Sequence, residues 1–93
     1  MSLEELLDSV VDRETFVAFV QALASEREEA ERMERADPVR FQLGGALNWQ
    51  NGDISSFLWA SLEYFEPRPF HQPEDPPSWR TFAEFLYFGK IYE

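Results

Sequence analysis

The chain has 93 residues, no cysteine, and 18 acidic side chains against 8 basic ones, a formal charge of -10. That length holds a single domain, 1–93. The charge disfavours nucleic acid and anionic membrane as partners, and the missing thiols exclude disulfides and cysteine metal sites. Aromatic residues make up 16% of the chain, which argues against disorder and for a dense core.

Residues 3–11 predict one or two helical turns, with Leu3, Leu6, Leu7 and Val10 at helical spacing. This start is acidic where a secretion signal needs a basic region and an apolar run, and no stretch approaches a membrane span. A cytoplasmic protein is expected. Asp12 is placed to cap a long helix over about 13–35, with Glu14 in its first turn. Phe16, Phe19, Val20 and Leu23 give that helix one apolar face. Its second half is rich in Glu and Arg and reads as solvated. Pro38 ends it.

Between residues 39 and 50, Val39, Phe41 and Leu43 alternate, Gly44-Gly45 follows, and Leu47 and Trp49 alternate again. The pattern predicts a short two-stranded hairpin, with a Gly44-Gly45-Ala46 loop putting Phe41 opposite Trp49. An irregular loop is the rival reading. Asp53 caps a helix over about 54–65, whose expected core stripe is Ile54, Phe57, Leu58, Ser61, Leu62 and Phe65, with Trp59 and Tyr64 on its flanks. Residues 66–77 carry five prolines and read as a stiff connector. Ser78 caps a last helix over about 79–90. Its expected core stripe is Trp79, Phe82, Ala83 and Leu86, and a second apolar stripe runs through Phe85, Phe88 and Tyr92. The fold class is mainly α: a small three-helix domain with the hairpin or loop between its first two long helices.

No chemistry stands out in this pattern. No catalytic residue, metal site or cofactor is assigned. The single histidine, His71, sits among prolines, and no nucleophile elbow surrounds Ser55 or Ser56. Gly44-Gly45 is too short for a phosphate loop. The run Glu26, Glu28, Glu29, Glu31 and Glu34 is a candidate surface for a basic protein partner. Part of it is ordinary helix support, since Glu28–Arg32 and Glu31–Arg35 are i, i+4 pairs. Phe85, Phe88 and Tyr92 are the candidate self-interface of a homodimer, with burial inside the monomer as the competing reading.

Three segments together resemble a family of small uncharacterised, mostly bacterial domains of unknown function. They are Arg13-Glu14-Thr15-Phe16-Val17-Ala18-Phe19, Trp49-Gln50-Asn51 followed by Phe57-Leu58, and Pro77-Ser78-Trp79 with the ending Ile91-Tyr92-Glu93. Within that resemblance, Trp49, Asn51, Trp79 and Tyr92 read as structural anchors, with Asn51 capping the helix at 54–65 or bonding backbone in the turn before it. In size and acidity such domains are similar to immunity proteins that neutralise bacterial toxins. A non-enzymatic acidic protein-interaction module is therefore the expected function. The alternative is a small-ligand-binding domain or weak enzyme built on His71, Glu63 and Glu66.

Overall fold

The computed structural model describes residues 2–66 and 78–92. It contains α1 (Leu3–Asp8), α2 (Arg13–Ala36), α3 (Ile54–Phe65) and α4 (Trp79–Ile91), with a 3-10 turn at Ala46–Asn48 between α2 and α3. The protein is a small, mainly α domain. The proline-rich segment after Glu66 and His71 lie outside the described residues.

Each helix start follows from a short polar side chain. Ser2, Asp12, Asp53 and Ser78 have extended backbone and accept a hydrogen bond from the backbone N–H three residues on. Ser2 with Glu5 and Asp12 with Thr15 close reciprocal capping boxes. These bonds hold the carboxyls of Glu5, Asp12 and Asp53 below their ordinary range.

α4 is the hub. It packs most extensively on α3 and also meets α2 and α1. The α3–α4 contact is made through small residues. Ala60, Ser61, Ala83 and Gly89 are all buried. A Cβ at Gly89 would lie 2.4 Å from Ser61 Oγ and 2.9 Å from the Phe57 ring, so only glycine lets the two helices come this close. The Ser61 hydroxyl donates toward the Phe85 carbonyl at 2.9 Å and toward its own helix at Phe57 O, which satisfies a fully buried polar group. Beyond the small residues, Tyr64 stacks on Phe88 with ring centroids 3.8 Å apart.

This close packing corrects the expected core stripe of α3. The buried side is centred on Ala60, Ser61 and Tyr64, while Ile54, Leu58 and Leu62 turn outward. The stripe of α4 holds in part, since Ala83 is in the core and Leu86 packs against it. Ala83 and Tyr87 are buried, but Trp79 and Phe82 are exposed at its first turn, edged by Phe16 from α2.

The expected hairpin is not formed, and no strand occurs among the described residues. The backbone of Leu47 and Asn48 is left-handed, with φ of 55° and 65°. Such a pair reverses the chain within one turn and destroys strand alternation. Gly45 N–H donates to Trp49 O at 3.0 Å, and a Cβ on Gly45 would meet that oxygen at 2.2 Å. The loop is therefore shut on itself. Leu43 is left exposed, while Trp49 is driven inward.

Candidate functional site

The second half of α2 is largely solvated, as expected, but one of its faces is covered. Positions 26, 27, 30, 33 and 34 continue the face begun by Phe16, Phe19, Val20 and Leu23, and the loop before α3 covers them. Ala30 is fully buried there. Charged residues stand where apolar ones are expected, and each finds a partner.

At the centre lies Lys90, on the last turn of α4, with only 3% of its surface exposed. Its ammonium sits 2.6 Å from Glu26 Oε1. The indole N–H of Trp49 donates to the same oxygen at 2.9 Å. Trp49 is held by cations too: the Arg27 guanidinium lies 5.3 Å from its ring centre and the Lys90 nitrogen 5.7 Å. Arg27 in turn makes a two-pronged bond to Glu34, at 3.2 and 2.9 Å. Glu34 also accepts the backbone N–H of Ala46 at 3.0 Å, which pins the loop to the helix.

Asn51 completes the junction from the other side. Its amide donates to Gly89 O at 3.1 Å and Tyr92 O at 2.6 Å. Instead of capping α3, it satisfies carbonyls freed at the end of α4. Gln50 N–H adds a bond to Lys90 O at 3.0 Å. Trp49 and Asn51 are thus structural anchors of one loop-to-α4 junction. Tyr92 joins them through its carbonyl and through an edge contact with Tyr64. Trp79 stands apart, at the opposite end of α4.

The acidic run is consequently divided. Glu26 and Glu34 face inward and belong to this junction. Glu31 meets Arg27 from outside at 3.5 Å, Glu29 pairs with Arg32, and Glu28 projects into solvent. The three aromatics expected at a self-interface are half-buried inside the monomer. Phe88 lies under Tyr64, Phe85 meets the edge of Phe65, and Tyr92 meets Tyr64. At the other end of the core, the Tyr87 hydroxyl donates to Glu4 on α1 at 3.0 Å. Burial, reinforced by that carboxylate, pushes the phenol up to about 12.

The surface that the sequence pattern did not mark is the outer side of α3. Ile54 is 80% exposed, Trp59 67%, and Leu58 and Leu62 are also exposed. Ile54, Leu58 and Leu62 follow at i, i+4 and i+8, so they form one ridge about 12 Å long. Beside it is an open concavity whose walls include Asn51, Asp53, Ser55, Trp59, Glu63 and Tyr92. Glu63 therefore lines a hollow, but Glu66 is not among its walls, so the carboxylate pair of the alternative reading is not brought together there. No group of three His, Cys, Asp or Glu side chains able to hold a metal occurs among the described residues. No described helix is long and apolar enough to cross a membrane.

No family model, curated protein or solved structure matches the chain.

Proposed function

We propose that the protein is a non-enzymatic, acidic interaction module that binds a basic protein partner, an immunity or antitoxin-like role being one form of this. The observation that supports it is how charge is distributed. Arg27, Arg32, Arg80 and Lys90 are engaged by the chain's own carboxylates. Glu14, Glu28, Glu63 and Glu66 face solvent without an ion pair among the described residues. Lys90 is buried and Arg27 and Arg80 are half-buried; Arg13, Arg32, Arg35 and Arg40 stay exposed, but among the described residues the exposed acids outnumber them. The net field is therefore negative, at a formal charge of -10, which speeds encounter with a basic surface and repels acidic ones.

The test is capture from native lysate on the immobilised full chain. Basic proteins should be retained at about 50 mM salt and released by about 300 mM, as screening shortens the reach of the field. Retention of no protein at low salt, or capture indifferent to salt, would overturn the reading.

A further inference from the structure

The outer ridge of α3 is an apolar surface that the tertiary structure left uncovered, and its Ile54 and Trp59 are more exposed than the Trp79 and Phe82 rings at the start of α4. Trp59 alone carries about 150–250 Å² of side-chain surface. With Ile54, Leu58 and Leu62 exposed around it, the patch is on the order of several hundred Å², the scale that marks interaction sites on small proteins. Leaving these groups in water is unfavourable. The side of α3 that holds Ser61, Phe57 and Tyr64 is engaged by Gly89 and Phe88 of α4, which leaves the ridge on the outside.

The charge around the ridge identifies its occupant. From Gln50 to Glu66 the chain holds Asp53, Glu63 and Glu66 and no basic residue. Asp53 stays ionised because it caps α3, accepting from Ser56 N–H at 2.9 Å. A second copy docking about a two-fold axis would set these carboxylates against their own images, on molecules that each carry -10. A straight two-turn ridge with acidic borders instead complements a helix with an apolar stripe bordered by Lys or Arg. The adjoining hollow, lined by Asp53, Glu63 and Trp59, offers carboxylates and an aromatic ring to a border cation.

We propose that the outer face of α3, through Ile54, Leu58, Trp59 and Leu62, docks a basic amphipathic helix of a partner protein. This rests on the basic-partner reading above and adds to it a place and a shape.

The test uses the full chain and three fluorescent peptides of about 18 residues, five turns of helix. One segregates Leu and Lys into an amphipathic helix. The second has the same composition scrambled, so that the faces mix. The third keeps the Leu stripe and replaces Lys with Glu. Anisotropy at low salt should show the amphipathic cationic peptide binding at least about tenfold more tightly than the scrambled one, with the acidic peptide weakest. Leu58→Asp and Trp59→Ala, both on the exposed face, should each weaken it by about tenfold or more, while Glu28→Gln on α2 changes it by less than about twofold. Circular dichroism establishes that the variants remain folded.

Equal affinity for the segregated and scrambled peptides overturns the docking proposal and leaves the basic-partner reading standing. Wild-type affinity in both Leu58→Asp and Trp59→Ala does the same. A dimer at about 100 µM that Leu58→Asp dissociates shows a second copy on the ridge and also overturns it. Binding of neither cationic peptide defeats the proposal and the basic-partner reading together.

Discussion

Two regions of this molecule invert the usual distribution of side chains. The junction of α2, the loop and α4 buries a lysine, a tryptophan and inward-facing carboxylates, whereas the outer side of α3 exposes Ile54, Leu58, Trp59 and Leu62. The inversion shows that burial here is decided by fit between elements. In the junction, Lys90, the Trp49 N–H and the two terminal nitrogens of Arg27 each meet a carboxylate, so charge can be held inside, while Arg27 Nε has only an ion contact with Glu31. On α3, the tightest fit sets Ser61 and the Phe57 ring against Gly89 of α4, with Tyr64 beside them, and Ile54, Leu58, Trp59 and Leu62 are left outward.

Removing the centre of the junction should have the largest effect. Glu26→Ala leaves Lys90 buried without its counter-ion and the Trp49 N–H without its acceptor. A loss of about 3–5 kcal/mol is expected in urea unfolding, enough to unfold a marginal domain. Replacing both partners, Glu26→Met with Lys90→Met, should recover part of that loss, since the unpaired charge is removed while the Trp49 N–H still lacks its acceptor. If Glu26→Ala costs less than about 1 kcal/mol, the buried junction does not hold the fold together.

Gly89→Ala sharpens the other half of the comparison. The added methyl must push Ser61 and Phe57 away, at a cost of about 1–3 kcal/mol from overpacking, against a gain of about 1 kcal/mol in helix propensity. The net result should be a melting temperature lower by several degrees. An unchanged or raised one would show that α3 and α4 can separate freely.

pH dependence follows from the shifted groups. Tyr87 has its phenol raised from 10 to about 12 in the folded state, so its stabilising share is complete below pH 10 and is lost as pH rises toward 12. Tyr87→Phe should flatten the alkaline limb of the stability profile. The caps Glu5, Asp12 and Asp53 have the opposite sign. Their folded values are lowered, so their contribution is present above the ordinary carboxylate range and disappears as pH falls below it. Asp12→Asn, which keeps a capping oxygen without the charge, should reduce the acid sensitivity seen in melts between about pH 5 and pH 2.

The smallest stability effect belongs to the exposed ridge. Leu58→Asp should cost about 1 kcal/mol, from lower helix propensity and the half of its side chain that is covered. A loss of about 2 kcal/mol or more would mean that Leu58 packs against the body, and the contrast between the two regions would disappear.

Much of the local structure was legible in the residues. Asp12, Asp53 and Ser78 mark three helix starts by their chemistry, and Pro38 marks the end of α2. The inward turn of Glu26, Arg27 and Glu34 also had a signal. They continue the period of Phe16, Phe19, Val20 and Leu23, but charge at those positions suggests solvent unless a partner is known. That partner is Lys90, 64 residues from Glu26 along the chain and placed by the α3–α4 packing. The hairpin pattern of Val39, Phe41 and Leu43 was overridden for a similar reason. Contacts from α2 to Ala46 and Trp49 hold a left-handed turn that the local pattern opposes.

The amino-acid sequence by itself determined helix content, helix starts and net charge, because capping, periodicity and ionisation act within a few residues. The core faces of α1 and of the first half of α2 were also legible, but only the tertiary structure decided which sides of α3 and α4 meet the core. That choice depends on Gly89 meeting Ser61 and Lys90 meeting Glu26 across the fold, contacts whose energies no single segment contains.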